Sequence, residues 1–144
     1  MDRIGLGRRG PKVSRICMGC MGLGNPSTGQ HSWTVDGEPA EGIVKAALDA
    51  GIDFFDTAPG YQDGTSERIL GKAVARYADR GSVFIATKFL PRSQDEISAG
   101  IGGREHVLRS LDASLERLGT DHVDLLIYHM WDYATPLEEI MCGL

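Results

Sequence analysis

Four short apolar runs, separated by segments of helical period, constrain this chain more than any other feature. They are Val13–Met18, Ile52–Thr57, Val83–Thr87 and Val123–Tyr128. Between the first two, Ala40–Ala50 reads as a helix: Ile43, Val44, Ala47 and Leu48 share one face, and Gly51 supplies a stop. Ile69, Leu70, Ala73, Val74 and Tyr77 repeat the pattern, with Ser66 as the expected cap and Glu67 at the positive helix end. Val107, Leu108, Leu111, Leu115 and Leu118 mark a further helix that Gly119 ends. Val123–Tyr128 is almost continuously apolar, as in strands covered on both faces by crossover helices.

Alternating strands and helices fit two architectures, an open doubly wound sheet or part of a barrel. A nucleotide-binding doubly wound sheet favours a Gly-x-Gly-x-x-Gly turn entering its first helix. Gly19, Gly22 and Gly24 have the wrong spacing, and a long polar loop, 25–38, separates them from the helix. Asp56, Lys88 and His129, by contrast, close successive strands at their C-terminal ends. Barrel active sites assemble at that end. The expected fold is therefore α/β, of the TIM-barrel (β/α)8 type, as one domain over residues 1–144.

The remaining segments refine this. Residues 2–13 suit a small hairpin or an irregular lead-in, with Gly10-Pro11 as the expected turn. Trp33, in the 25–38 loop, is expected to line a pocket or to pin the loop; a second loop covers 90–102. Thr135-Pro136-Leu137-Glu138 reads as a capping box with proline at the first helical position, about two turns before Leu144. A helix started there suggests a fragment, about four βα units of an eight-unit barrel.

Composition narrows the function classes. A net charge of -5, from 20 acidic and 15 basic residues, without a local basic run, argues against nucleic-acid binding. No apolar stretch approaches the roughly 18 residues of a membrane span, so the cytoplasm is the expected location. Three cysteines, Cys17, Cys20 and Cys142, make no disulfide framework. Cys17 and Cys20 have redox-motif spacing but lie along a strand, so ordinary strand or pocket roles are expected. A zinc site would need further ligands.

The polar strand ends carry chemistry when Tyr61 joins them. A phenol is a poor acid at neutral pH, but a nearby ammonium favours its ionised form. Lys88 can supply that charge, Asp56 can hold Lys88 in place, and His129 can reach a substrate oxygen. Such a set suits carbonyl reduction, in which hydride must come from a cofactor. Asp56 and Asp132 as paired glycosidase carboxylates are a weaker reading. His106 and His122 are expected on the surface, and His31 either exposed or near the pocket.

At these residues the chain closely resembles the N-terminal half of the aldo-keto reductase family. The resemblance rests on Gly51-Ile52-Asp53-Phe54-Phe55-Asp56-Thr57-Ala58, then Tyr61, then Gly64-x-Ser66-Glu67-x-x-Leu70-Gly71. Ala86-Thr87-Lys88 and Asp124-Leu125-Leu126-Ile127-Tyr128-His129 continue it. It implies a barrel reducing aldehydes and ketones with NADPH, or less often NADH. By resemblance Tyr61 is the general acid, Lys88 and Asp56 its tuning pair, and His129 the residue that orients the carbonyl. Gly19, Cys20, Met21 and Asp56 match positions beside the cofactor. The family's later strands, with the ring-stacking aromatic and the 2'-phosphate segment, have no counterpart among these residues. The resemblance therefore admits a second outcome, an inactive product or an accessory subunit self-associating through open strand edges.

Overall fold

The computed structural model describes residues 1–144. The chain opens with a hairpin in which β1 (Arg3–Gly5) pairs antiparallel with β2 (Lys12–Ser14). Leu6 N–H donates to Pro11 carbonyl across the turn, which is made by Gly7-Arg8-Arg9 rather than by the expected Gly10-Pro11. The single strand expected over 13–18 is instead two. Ser14 N–H donates to Asp53 Oδ1 at 2.7 Å, Asp53 N–H donates to Ser14 Oγ at 3.1 Å, and the Arg3 guanidinium pairs with the same carboxylate. Those contacts fix the hairpin to the start of β4 (Phe54–Asp56). The chain then bends at Arg15-Ile16 and begins a separate strand, β3 (Cys17–Gly19). Local hydrophobicity could not reveal this break, because its cause lies 39 residues away in Asp53.

Four parallel strands form the main sheet in the order β3, β4, β5 (Phe84–Phe89) and β6 (Leu125–Tyr128). In register, Gly19 lies beside Asp56, Asp56 beside Ala86, and Ala86 beside Leu125. Helices α1 (Gly37–Asp49), α2 (Thr65–Tyr77) and α4 (Gly103–Leu118) make the crossovers, each returning the chain to start the next parallel strand. This is the architecture of part of a (β/α) barrel. It leaves β3 and β6 as edge strands.

Strand alternation sorts the side chains into two sets. Phe55, Thr57, Ile85, Thr87 and Phe89 are buried completely or almost so, beneath the helices. Phe55 and Ile85 join Val44, Leu70, Val74 and Leu118 in the principal core. Phe89 stacks on Tyr128, ring centres 4.8 Å apart, in a second cluster with Val107 and Ile140. The alternate positions Phe54, Asp56, Phe84 and Lys88 lie on the opposite, inner face, where Phe54 and Phe84 meet edge to face. Helices α2 and α4 pack closely at Gly71, where a Cβ would come 2.0 Å from the Leu118 carbonyl oxygen. Only glycine allows that approach.

Three expected details of the helices change. The α2 N-cap is Gly64, with φ 78°, rather than Ser66. Ser66 is buried and donates to Cys20 carbonyl at 2.7 Å while also pairing with Thr57 Oγ1, so its hydroxyl ties α2 to the strands. The 90–102 loop contains a short helix, α3 (Gln94–Ser98), opened by a capping box between Ser93 and Glu96. At the end of the chain α5 (Leu137–Met141) follows Pro136 without a side-chain cap. The Thr135 hydroxyl is instead spent on Asp132 Oδ2, so the expected capping box there does not form.

Candidate active site

The C-terminal strand ends bring Asp56, Tyr61, Lys88 and His129 together. Asp56 ends β4, Tyr61 follows in the turn after it, Lys88 is in β5, and His129 follows β6. Lys88 is 7% exposed, and its ammonium has three acceptors. Asp56 Oδ1 lies at 2.8 Å, Thr57 carbonyl at 2.8 Å and Tyr61 Oη at 3.1 Å. A lysine carries three N–H donors, so each has a partner and the charge is fixed in direction. Because Tyr61 Oη accepts from Lys88, its own proton is free for another acceptor. The Lys88 ammonium also lies 4.7 Å from the Tyr61 ring centre.

His129 packs edge-on against Tyr61, with ring centres 5.8 Å apart. Its Nδ1 is enclosed without a partner, which leaves Nε2 as the nitrogen open to a ligand. Burial lowers the His129 pKa below the usual 6.5; the Lys88 ammonium adds to that and the Asp56 carboxylate opposes it. The imidazole is therefore neutral at pH 7. A sign follows for stability. The unfolded chain binds this proton more readily than the folded one, so stability is retained above about pH 6.5 and declines as pH falls toward the folded pKa. A histidine NMR titration is expected to give His129 a midpoint below 6.5; a midpoint at or above that value would contradict the burial argument.

Tyr61 and His129 line a cavity of about 340 Å³ together with Met21, Gln30, His31, Leu90 and Met130. His31 stacks on Trp33 at 4.9 Å, so this half-buried histidine stands at the pocket while Trp33 braces it from an exposed position. Of the residues expected beside a cofactor, Gly19 presents open backbone: a Cβ there would meet nothing within 4 Å. Met21 lines the cavity, and Asp56 keeps its second oxygen outside the Lys88 ion pair. Gly19 and Asp56 are neighbours in register across β3 and β4. Cys20 is placed differently. Its side chain is fully buried in the principal core, so only its backbone could take part.

Neither strand cysteine is an activated thiol. Burial, assisted by Asp56 and opposed by Lys88, pushes Cys17 up to about 11. Burial, with smaller contributions from Cys17 and Asp56, raises Cys20 to about 12. Asp132 is committed elsewhere: bonds from the Thr135 hydroxyl and the Thr135 and Ala134 N–H groups hold its carboxyl down at about 2. His122 is exposed beside Asp121, as expected. His106 is not a surface residue. It is buried, with Nδ1 at 2.9 Å from Glu96 Oε1 and Nε2 at 2.7 Å from Leu90 carbonyl, and so ties the 90–102 loop to α4. The surface position expected for it fails because Leu90 and Glu96, which cover it, come from the segment before α4 and not from its own helix.

Fold and site together define a partial βα barrel with a lysine-paired tyrosine at the strand ends. A sequence model described as the Aldo/keto reductase family matches residues 15–144, and the chain belongs to that family. The versiconal hemiacetal acetate reductase of Aspergillus parasiticus is 38% identical, over all of this chain and 46% of its own length. A putative voltage-gated potassium channel subunit beta of Schizosaccharomyces pombe is 36% identical, over 94% of this chain and 38% of its own. Among solved structures, a thermostable aldo-keto reductase in complex with the inhibitor epalrestat superposes with a TM-score of 0.81 at 32% identity. That match covers 99% of this chain and 48% of the other. The chain thus spans less than half the length of each of these relatives, 38% to 48%.

Proposed function

We propose that this site reduces aldehydes or ketones to alcohols with a nicotinamide cofactor, NADPH by preference and NADH as the alternative. The observation that carries the reading is the Lys88 ammonium, held by Asp56 and the Thr57 carbonyl and directed at Tyr61 Oη. The cofactor, when bound, supplies hydride to the carbonyl carbon. Tyr61 donates its proton to the oxygen, and Lys88 stabilises the phenolate left behind. His129 Nε2 orients the carbonyl oxygen. Gly19, Met21 and Asp56, with the Cys20 backbone, form the cofactor side. A small carbonyl substrate occupies the cavity beside His31 and Met130. NADPH consumption with small aromatic aldehydes, compared with a Tyr61→Phe control, tests the assignment. The cytoplasm is the proposed location; no helix is long and apolar enough to cross a membrane.

A second reading, in which the chain is an accessory or inactive partner, is favoured by the open β3 and β6 edges. Unpaired strand edges recruit further strands. The likeness to a channel beta subunit supports a non-metabolic role for the same scaffold. Under this reading the 144-residue chain is expected to grow in apparent mass with concentration, as measured by light scattering. A constant monomer mass across a hundredfold range, of the order over which moderate association constants are sampled, would count against it.

A further inference from the structure

We propose that Gln62, next to the tyrosine, is a positioning residue that builds one wall of the cavity by holding residues 25–34 in place. The kinetic consequence rests on the reductase reading; the structural one does not. Gln62 is 1% exposed and adopts a left-handed backbone, φ 47°. Its Oε1 accepts from the N–H groups of Gln30 and His31, both at 2.9 Å. Its Nε2 faces the carbonyls of Asn25, Thr28 and His31 at 2.7, 2.6 and 2.9 Å, and Thr34 Oγ1 at 3.1 Å. An amide has only two N–H donors, so these acceptors share them.

The loop is moulded around this side chain. Gly24 and Gly29 have φ of +146° and +72°, and a Cβ at either would lie 2.5 or 2.7 Å from Gln62 atoms. At its base the loop is closed by Gly24 N–H to Val35 carbonyl and Val35 N–H to Gly22 carbonyl. Gln62 reaches its tip, and the two residues whose N–H groups it accepts from, Gln30 and His31, are the two that line the cavity. A left-handed conformation is unfavourable for a residue with a side chain and persists only where its surroundings hold it. Gln62 thus accepts backbone strain on one side and organises a polar loop on the other. Through the preceding residue, the proton donor and this wall share one turn.

The strain makes Gln62→Gly the informative variant. Glycine relieves the backbone and deletes the hub, while Gln62→Met keeps the volume and deletes only the polar atoms. Hydrogen exchange on the full chain, with far-UV circular dichroism to verify folding, is expected to show the Gln30 and His31 amides opening at least about 100-fold more readily in both. In steady-state kinetics KM for the carbonyl is expected to rise about tenfold while kcat changes by less than about threefold, the pattern of lost uniform binding. Unchanged exchange at Gln30 and His31 in both folded variants would overturn the proposal. Faster exchange with unaltered KM and kcat would overturn the role in the cavity. A wild-type chain without turnover would count against the reductase reading alone, since exchange still decides whether Gln62 holds the loop.

Discussion

Tyr61→Phe is expected to lower turnover by about 10²- to 10⁴-fold, the usual contribution of a positioned general acid. The substitution keeps the ring that packs against His129 and lies under the Lys88 ammonium, and deletes only the hydroxyl. Fold and cofactor affinity should therefore survive, and the loss should fall on kcat. Lys88 would keep Asp56 and the Thr57 carbonyl and lose its third acceptor. Rates of NADPH consumption and a fluorescence titration of cofactor binding separate these effects. Undiminished turnover in Tyr61→Phe would remove the phenol from the mechanism. Cofactor binding without turnover in the wild-type chain would move the balance to the accessory reading.

Arg117→Ala is expected to be the most destabilising single change away from the site. Glu67 is completely buried, yet it carries a carboxylate. Its Oε1 accepts from Thr87 Oγ1 at 2.6 Å and its Oε2 from Arg117 Nε at 2.5 Å, so one side chain of α2 ties β5 to α4. Removing the guanidinium leaves a buried charge with a hydroxyl as its only side-chain partner. Breaking one side of such a pair costs about 3–5 kcal/mol, against a total of roughly 5–15 kcal/mol for an ordinary domain. The Arg117 stem also lies against Gly64, the α2 N-cap, so the start of that helix should loosen too. Urea denaturation should show a large fall in midpoint. The double variant Glu67→Leu with Arg117→Met should recover much of it, because replacing both charges leaves nothing unpaired. A loss below about 1 kcal/mol in Arg117→Ala would mean the carboxylate is solvated after all.

Much of this architecture is legible in the sequence. Ile52–Thr57 and Val83–Thr87 read as strands because their apolar character is nearly continuous, and they form β4 and β5. The helices of 40–50 and 107–118 read correctly because one face of each repeats at helical period. The approach of Asp56, Tyr61, Lys88 and His129 was also legible. Parallel connectivity places successive strand C-termini side by side, and each polar residue stood at such an end. Ser66, His106 and Thr135 were misjudged. For Ser66 and His106 the hydrogen-bond partner was fixed by packing, the Cys20 and Leu90 carbonyls, while for Thr135 a local turn onto the Asp132 carboxylate won over the expected cap. Gln62 gave no signal at all. A glutamine after a tyrosine is unremarkable until residues 25–34 fold back over it.

By itself, then, the sequence determined the alternation of strands and helices and the four polar groups that gather at the strand ends. Periodicity and strand order are encoded locally, and a parallel sheet translates them directly into position. Only the tertiary structure decided how those groups are held. The three acceptors around Lys88, the neutral imidazole of His129, the burial of Glu67 against Arg117 and the loop built around Gln62 all join residues distant in the chain. Burial removes water as the competing partner, and it is burial that gives such polar contacts their strength and direction.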